Sequence, residues 1–203
     1  MEYVFLFTTS NFIGMVKRIV ITGGPGTGKT VLIKMLEAKG FHCFHEIIRE
    51  LTQAAKANAS KEIQEINPLA FVSDPKTFNT KLLQGRVAQF NTASDLHHPV
   101  VFYDRGIPDV LAYMNYFNQA YDDSFLIPGR DLRYNEVIIL PPWQEIYTQD
   151  NERLENFEQA CELHWHLERQ YADLGYTPIK LDTGTPEYRL NRLFTHLNLD
   201  HGA

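Results

Sequence analysis

The sequence lacks several features that would each point to a particular class of protein. Only two of the 203 residues are cysteines, Cys43 and Cys161, and they form no C-x-x-C or metal-ligand pattern. No apolar stretch is long enough to span a bilayer. A basic excess is also missing, because 19 Lys and Arg face 25 Asp and Glu, for a net charge of −6. Proteins that bind mainly nucleic acid usually carry a basic face, so no nucleic-acid partner is expected.

These absences favour a cytoplasmic protein. Both cysteines are interpreted as buried or partly buried free thiols, as expected in a reducing compartment. The apolar run within residues 1–14 lacks the basic segment and the A-x-A-like cleavage site of a signal peptide. Met15 stands just before the first strand, so translation could begin at Met1 or at Met15. Residues 1–14 are expected to be a leader or start-site extension, and residues 15–203 a single domain.

Strand-like and helix-like patterns alternate along the chain. Short apolar runs predict five strands, at residues 18–22, 41–45, 99–104, 136–140 and 177–181. Helices are expected at residues 29–40, 46–57, 75–90 and 152–174, and from residue 186 onwards. Apolar strands separated by helices are typical of a parallel sheet covered on both faces. The pattern therefore predicts an α/β fold with a parallel five-stranded sheet.

The most specific motif follows the first strand. Residues 23–30 read G-G-P-G-T-G-K-T and match G-x(4)-G-K-[ST], with a strand before and a helix after. In such a P-loop, backbone N–H groups and the helix N-terminus hold phosphates. Lys29 is expected to reach the β- and γ-phosphates of ATP or GTP, and the Thr30 hydroxyl to coordinate Mg²⁺. A glycine-rich turn with an incidental lysine is the alternative. The expected nucleotide-binding residues are Gly23, Gly24, Pro25, Gly26, Thr27, Gly28, Lys29, Thr30 and Arg105.

A second group of charged residues closes the third strand. Asp104 ends the run V-V-F-Y-D, where P-loop proteins place a carboxylate that organises Mg²⁺. Arg105 follows at the carboxyl edge of the sheet, where ligands bind in open α/β folds. A surface Asp–Arg pair that opens a turn at Gly106 is the alternative. Asp109 is interpreted either as part of the site or as an early helical residue that faces the helix dipole.

Two further residues are candidates for phosphoryl-transfer chemistry. Residues 141–157 lie where nucleotide kinases commonly carry a mobile lid, and Arg153 within them could stabilise the charge that develops on the γ-phosphate. Glu46 follows the second strand, where nucleoside kinases often place the carboxylate that accepts the proton of the acceptor hydroxyl. Each residue also has a plain structural interpretation. Arg153 could be a solvated residue at a helix start, and Glu46 a helix N-terminal carboxylate paired with Arg49.

Several of these segments, taken in order, resemble a family of small AAA-named P-loop proteins. They read T-G-G-P-G-T-G-K-T, H-E-I-I-R-E, Y-D-R-G-I-P-D-V-L-A-Y, L-P-P-W-Q-E-I-Y-T-Q-D-N-E-R and Y-A-D-L-G-Y-T-P-I-K-L. The family includes the ribosylnicotinamide kinase domain of the bifunctional regulator NadR, and the resemblance runs from about residue 16 to about residue 197. It implies a P-loop NTPase fold of the nucleoside/nucleotide-kinase type, with a lid after the fourth strand at about 141–157. It also implies ATP or GTP and Mg²⁺ as cofactors.

The resemblance leaves the acceptor open, since no adenylyltransferase domain like that of NadR is visible and eukaryotic relatives are described as GTP- and lipid-binding adaptors. Three functions are therefore compatible with the sequence: a kinase for a small hydroxyl acceptor, a nucleotide-dependent binding module, and a slow NTPase. The kinase is favoured, because a lid arginine and a strand-end carboxylate serve phosphoryl transfer. Its catalytic residues would be Lys29, Glu46, Asp104 and Arg153, and its Mg²⁺ ligands Thr30 and Asp104.

Overall fold

The computed structural model describes residues 15–47, 74–147 and 156–199. The strands in these ranges are β1 (Lys17–Gly23), β2 (His42–Phe44), β3 (Val100–Asp104), β4 (Glu136–Leu140) and β5 (Ile179–Lys180). The helices are α1 (Lys29–Ala38), α2 (Pro75–Thr92), α3 (Ile107–Tyr116), α4 (Asp123–Asp131), α5 (Phe157–Asp173) and α6 (Pro186–Leu197). Short 3₁₀ turns occupy Ala93–Asp95 and Gln144–Ile146. No helix in the described ranges is long and apolar enough to cross a membrane.

All five strands are parallel and lie in the order β2-β3-β1-β4-β5, which confirms the predicted sheet. β1 is central and pairs with β3 and β4, so that Ile21 lies opposite Asp104 and Gly23 opposite Leu140. Because the strands run the same way, their carboxyl ends share one edge. The glycine loop after β1 and the charged residues after β2 and β3 therefore meet at that edge.

Helices cover both faces of the sheet, as predicted. Alternate residues of a strand point to opposite faces, and β1 places Val20 in one core, and Ile19 and Ile21 in the other. The Val20 core contains apolar side chains of α2, α3 and α4, whereas the other core contains those of α1 and α6. Both cores hold β-branched strand residues at 0% exposure, and their burial is the main stabilising contribution to a domain of this size.

The structure corrects the predicted start of the helix that follows β4. α5 begins at Phe157 and not near residue 152, because Asn156 and Gln159 cap it reciprocally. The Asn156 side chain accepts the Gln159 N–H at 2.9 Å, and the Gln159 side chain accepts the Asn156 N–H at 2.8 Å. This capping box marks a helix start more specifically than the acidic run upstream of it.

Two helices were not delimited by the sequence pattern. α3 is buried along most of its length, and α4 contains Pro128 in its interior. The Asp74 cap, with Pro75 as the first residue of α2, and the Thr185 cap of α6 are confirmed. The predicted leader at residues 1–14 and most of the predicted helix at 46–57 lie outside the described residues.

The packing of α1 on the sheet can be tested with two truncations on the same helix. Leu36 is fully buried between α1 and the sheet, whereas Val31 is 48% exposed. We expect Leu36→Ala to lower the free energy of unfolding by about 2–5 kcal/mol, because it leaves a cavity. Val31→Ala should change it by less than about 0.5 kcal/mol. Urea denaturation measures both, and equal effects would contradict this packing.

Candidate functional site

The loop between β1 and α1 has a backbone that only glycine adopts easily. Gly23, Gly26 and Gly28 have φ values of +142°, +72° and +88°, a region that costs other residues free energy. Gly28 is the N-cap residue of α1 and offers no side chain to cap it. The first N–H groups of α1 therefore need another acceptor, and an anion suits both these donors and the helix dipole.

The ammonium group of Lys29 lies within this loop. Its Nζ donates to the carbonyl oxygens of Gly23 at 3.0 Å and Gly24 at 2.8 Å. Burial and then the charge of Arg105 lower the pKa of Lys29 to about 7, although nearby carboxylates act in the opposite direction. A polyanion beside the amine would favour its protonated form and raise this pKa.

Arg105 joins three parts of the site. Its backbone is left-handed, with φ +76°, which is rare for a residue with a side chain and is often found at functional sites. The Nε atom donates to the Glu46 carboxylate at 2.5 Å, and Nη1 donates to the Gly23 carbonyl at 3.2 Å and to Asp109 Oδ1 at 3.3 Å. The guanidinium thereby connects the end of β2, the glycine loop and the first turn of α3.

Glu46 and Asp104 respond to this environment in opposite directions. Burial, the largest single effect, raises the pKa of Glu46, but the charges of Arg105, Lys29 and Arg86, together with the Arg105 hydrogen bond, lower it to about 2. Burial and then the nearby charge of Glu46 raise the pKa of Asp104. Glu46 therefore stays ionised at neutral pH, and Asp104 is the carboxylate that gains most from a cation placed beside it.

Asp109 is an acceptor on which the local geometry depends. It is 1% exposed and accepts hydrogen bonds from Thr22 Oγ1 at 2.6 Å and Gly106 N at 2.9 Å, in addition to that from Arg105. Its bond to Gly106 closes the first turn of α3, so the early-helix interpretation is correct. Its other bonds hold Arg105 in place, which makes Asp109 a structural partner of the site as well.

A distant tyrosine completes this network. The Tyr171 hydroxyl, on α5, donates to Asp109 Oδ2 at 2.6 Å. A Cβ atom on Gly106 would lie 2.5 Å from the Tyr171 oxygen, so the glycine of the D-R-G segment leaves room for this contact. No local pattern around Tyr171 signals a partner 62 residues away.

The residues present fit a magnesium ion. Asp104 is the last residue of β3 and is 5% exposed, and its Oδ1 has no hydrogen-bond partner in the described part of the chain. Thr30, in the first turn of α1, supplies a hydroxyl. No cluster of three or more His, Cys, Asp or Glu side chains suited to a metal occurs within the described ranges. One carboxylate and one hydroxyl suit Mg²⁺, which usually keeps several waters and takes phosphate oxygens.

Two side chains of α2, on the face of the sheet that carries the Val20 core, contact the residues at its carboxyl edge. Arg86 is 1% exposed and donates from Nη1 to the Asp104 carbonyl at 3.4 Å. Gln89 Nε2 donates to the His45 carbonyl at 2.9 Å and so holds the residue before Glu46. The sequence pattern did not single out Arg86.

The segment after β4 reaches the glycine loop. A Cβ atom on Gly26 would lie 2.7 Å from Tyr147 Cδ2, so the tyrosine ring packs directly on this turn. Tyr147 also packs edge-to-face on Phe157, with ring centroids 5.5 Å apart. Of the residues singled out in the sequence, Arg153 and Arg49 lie outside the described residues, and their roles stay predictions.

Comparison with known proteins confirms the fold and the resemblance. A family model described as "AAA domain" matches residues 18–189. A structure of NadR in complex with NR superposes with a TM-score of 0.66 at 17% identity, over 92% of this chain and 53% of NadR. Deoxyadenosine kinase from M. mycoides with bound dATP gives 0.61 at 16%, over 90% of this chain and 99% of that one. Thymidylate kinase from Candida albicans gives 0.64 at 15%, over 91% and 92%.

The chain spans about half the length of the NadR chains that it matches. No curated protein matches it in sequence. At 15–17% identity the solved structures establish a P-loop nucleoside/nucleotide-kinase fold.

The Tyr171–Asp109 contact can be tested by removing one oxygen atom. Tyr171→Phe takes a donor from a buried carboxylate, so we expect the free energy of unfolding to fall by about 1–3 kcal/mol. Tyr188→Phe is the matched control, because Tyr188 is 45% exposed. Urea denaturation measures both variants. A loss for Tyr171→Phe no larger than that of the control would mean that Asp109 does not depend on this hydroxyl.

Proposed function

The chain belongs to the AAA domain family, matched over residues 18–189, and from that premise we propose that it is a kinase. It transfers the γ-phosphoryl group of a magnesium nucleotide, ATP or GTP, to a nucleoside-like or other small hydroxyl acceptor. The observation that carries this proposal is the position of Glu46, whose carboxylate shares Arg105 with the Gly23 carbonyl of the glycine loop. A proton acceptor thus lies beside the loop that would hold the terminal phosphate.

The glycine loop holds the phosphates, and three cations act on them: Lys29, Mg²⁺ and Arg153. Residues 23–30 supply backbone N–H groups, and Lys29 neutralises charge on the β- and γ-phosphates. Thr30 and Asp104 hold Mg²⁺, which supplies charge neutralisation on the phosphates when bound. Arg153 is the proposed lid arginine, which adds a positive charge where negative charge develops during transfer.

Glu46 orients the acceptor hydroxyl and takes its proton. With a pKa of about 2 it is a weak base. Phosphoryl transfer passes through a loose transition state with little bond formation to the nucleophile, so that positioning matters more than base strength. The ionised carboxylate accepts a hydrogen bond from the hydroxyl at all pH values near neutrality. Arg105 keeps the carboxylate ionised and in place.

A ring-bearing acceptor fits the surroundings of Glu46. Phe44, the last residue of β2, is partly buried, and its ring stacks on the buried Tyr103 with ring centroids 4.9 Å apart. Its partly exposed ring offers a surface on which a flat base can pack. The similar structures were solved with NR and with dATP bound, which supports a nucleoside-like acceptor here.

The free thiols of Cys43 and Cys161 support a cytoplasmic location.

A second candidate function is favoured by one surface feature. Phe117, at the end of α3, is 43% exposed, and Trp165 of α5 is 51% exposed. They flank a group of ring contacts that includes Tyr116 and His166, with centroids 5.7 Å apart. Exposed aromatic clusters often mark protein contacts. A nucleotide-dependent binding module with slow or no NTPase activity would use such a surface to report its bound nucleotide.

The nucleotide site is tested with Lys29→Ala. We expect this variant to lose most of its affinity for Mg-ATP and Mg-GTP, because it removes a charge on the β/γ-phosphates. Calorimetry at pH 8 in buffers of different ionisation enthalpy adds a second readout. Since the pKa of Lys29 is about 7 and a polyanion raises it, wild type should take up more protons on binding than the variant does.

Lys34→Ala is the matched control, since Lys34 is an exposed residue of the same helix. It should bind nucleotide like wild type. Unchanged affinity and unchanged proton uptake in Lys29→Ala would contradict the assignment of the site.

The kinase activity is tested with Glu46→Gln. A thermal-shift screen of nucleosides, with a non-hydrolysable ATP analogue present, first identifies acceptors, since a ligand at 100 times its Kd stabilises by about 2.7 kcal/mol. Acceptor-dependent ADP release is then measured at saturating ATP. We expect Glu46→Gln to reduce it by about tenfold or more, because a positioned acceptor of the proton is lost. Nucleotide affinity should stay close to that of wild type.

Glu158→Gln, on the exposed first turn of α5, is the control and should keep full activity. Full retention of turnover in Glu46→Gln would remove Glu46 from the mechanism. Wild type without acceptor-dependent turnover across the screen would reject the kinase in favour of the binding module.

A further inference from the structure

A buried arginine on α6 holds the glycine loop from the side of the second core. Arg189 is 4% exposed and lies in the first turns of α6. Its Nη1 donates to the Thr27 carbonyl at 2.6 Å. The same nitrogen is 3.0 Å from the point where a Cβ atom on Gly28 would lie. The guanidinium therefore packs against the last two residues of the loop before α1, and no feature of the P-loop motif predicts it.

One edge of this guanidinium makes no hydrogen bond. Nε and Nη2 of Arg189 are both buried and have no partner within the described residues. These two nitrogens share an edge of the planar group and present two nearly parallel N–H bonds. Burial lowers the pKa of Arg189, and no carboxylate of the described chain opposes that effect. Leaving charged donors buried and unpaired is costly, so such a group usually has a specific acceptor.

The position of the edge indicates what the acceptor is. Two parallel N–H bonds match two oxygens of one phosphate or carboxylate group, and Nη1 of the same guanidinium contacts the glycine loop, where phosphate is proposed to bind. Lys29 contacts the beginning of that loop, at Gly23 and Gly24, and serves the β- and γ-phosphates. Arg189 contacts its end, at Thr27 and Gly28, where the α-phosphate remains to be held.

We propose that Arg189 is a second nucleotide-binding cation, whose Nε and Nη2 donate to non-bridging oxygens of the α-phosphate. This proposal rests on the proposed nucleotide binding and adds Arg189 to the site. Arg189 lies 162 residues from Thr27 in the sequence and donates to its carbonyl oxygen. Nη1 of the guanidinium contacts the loop, whereas Nε and Nη2 bind the ligand. Loop conformation and α-phosphate binding are thereby linked through a single side chain.

The first experiment compares Arg189→Met with wild type for binding of Mg-ATP, Mg-GTP and Mg-tripolyphosphate. The variant keeps an apolar stem of similar length but removes the charge and all five donors. We expect the affinity for both nucleotides to fall by about tenfold or more and by equal factors, since charge-assisted hydrogen bonds are lost. Tripolyphosphate should lose affinity as well. Arg192→Met is the control, because Arg192 lies on the same helix and its side chain is 55% exposed; its affinities should match wild type.

The second experiment separates ligand contact from loop support. The two diastereomers of ATP with sulfur in place of one α-phosphate oxygen are compared with ATP. Wild type should lose affinity for at least one diastereomer, and Arg189→Met should show no such loss. A variant that merely loosened the loop would keep the sulfur sensitivity of wild type, and that result would overturn the proposal.

Three other outcomes would count against the proposed role of Arg189. Unchanged affinity of Arg189→Met for all three ligands would overturn the proposal and leave Arg189 as a support of Thr27. A loss confined to GTP would overturn it too, because guanine O6 and N7 would then be the paired acceptors. Failure of wild type itself to bind nucleotide would instead reject the proposed function, and the phosphate role of Arg189 with it.

Discussion

The candidate site depends on one buried cation. Arg105 adopts a left-handed backbone, and its guanidinium contacts Glu46, the Gly23 carbonyl and Asp109. A strained backbone costs roughly 1–3 kcal/mol and persists only when surrounding contacts hold it. Here those contacts come from three separate elements of the fold. Without this arginine, Glu46 would lose its ion-pair partner, and Asp109, 1% exposed, would be a buried carboxylate without its paired cation, which is strongly destabilising.

The charges around Arg105 explain how one small edge of a sheet can prepare phosphate chemistry. Lys29 has a pKa lowered to about 7, Glu46 one lowered to about 2, and the pKa of Asp104 is raised. A bound polyanion would stabilise the charged form of Lys29, and Mg²⁺ would stabilise the charged form of Asp104. Glu46 already has Arg105 as its counter-charge. In the proposed kinase, binding and chemistry are therefore assigned to different residues by their electrostatic surroundings.

The parallel sheet makes this assembly possible. β1 lies between β3 and β4, so the loop after β1 and the residues after β3 emerge side by side. Helices α3 and α5 then bring Asp109 and Tyr171 into contact with each other next to these residues. Solved nucleoside and nucleotide kinases at 15–17% identity share this fold, and the family match covers residues 18–189.

Local chemistry in the sequence determined the strands, the glycine loop and the caps at Asp74 and Thr185, because each depends on residues within a few positions of one another. The start of α5 was also readable, from Asn156 and Gln159, although the acidic run upstream suggested an earlier one. Tertiary structure alone decided that Tyr171 reaches Asp109 and that Arg189 reaches Thr27, across 62 and 162 residues. A tyrosine or arginine on a helix carries no local mark of its distant partner. Its partner is selected by how the helices pack on the sheet, and that packing depends on the whole core.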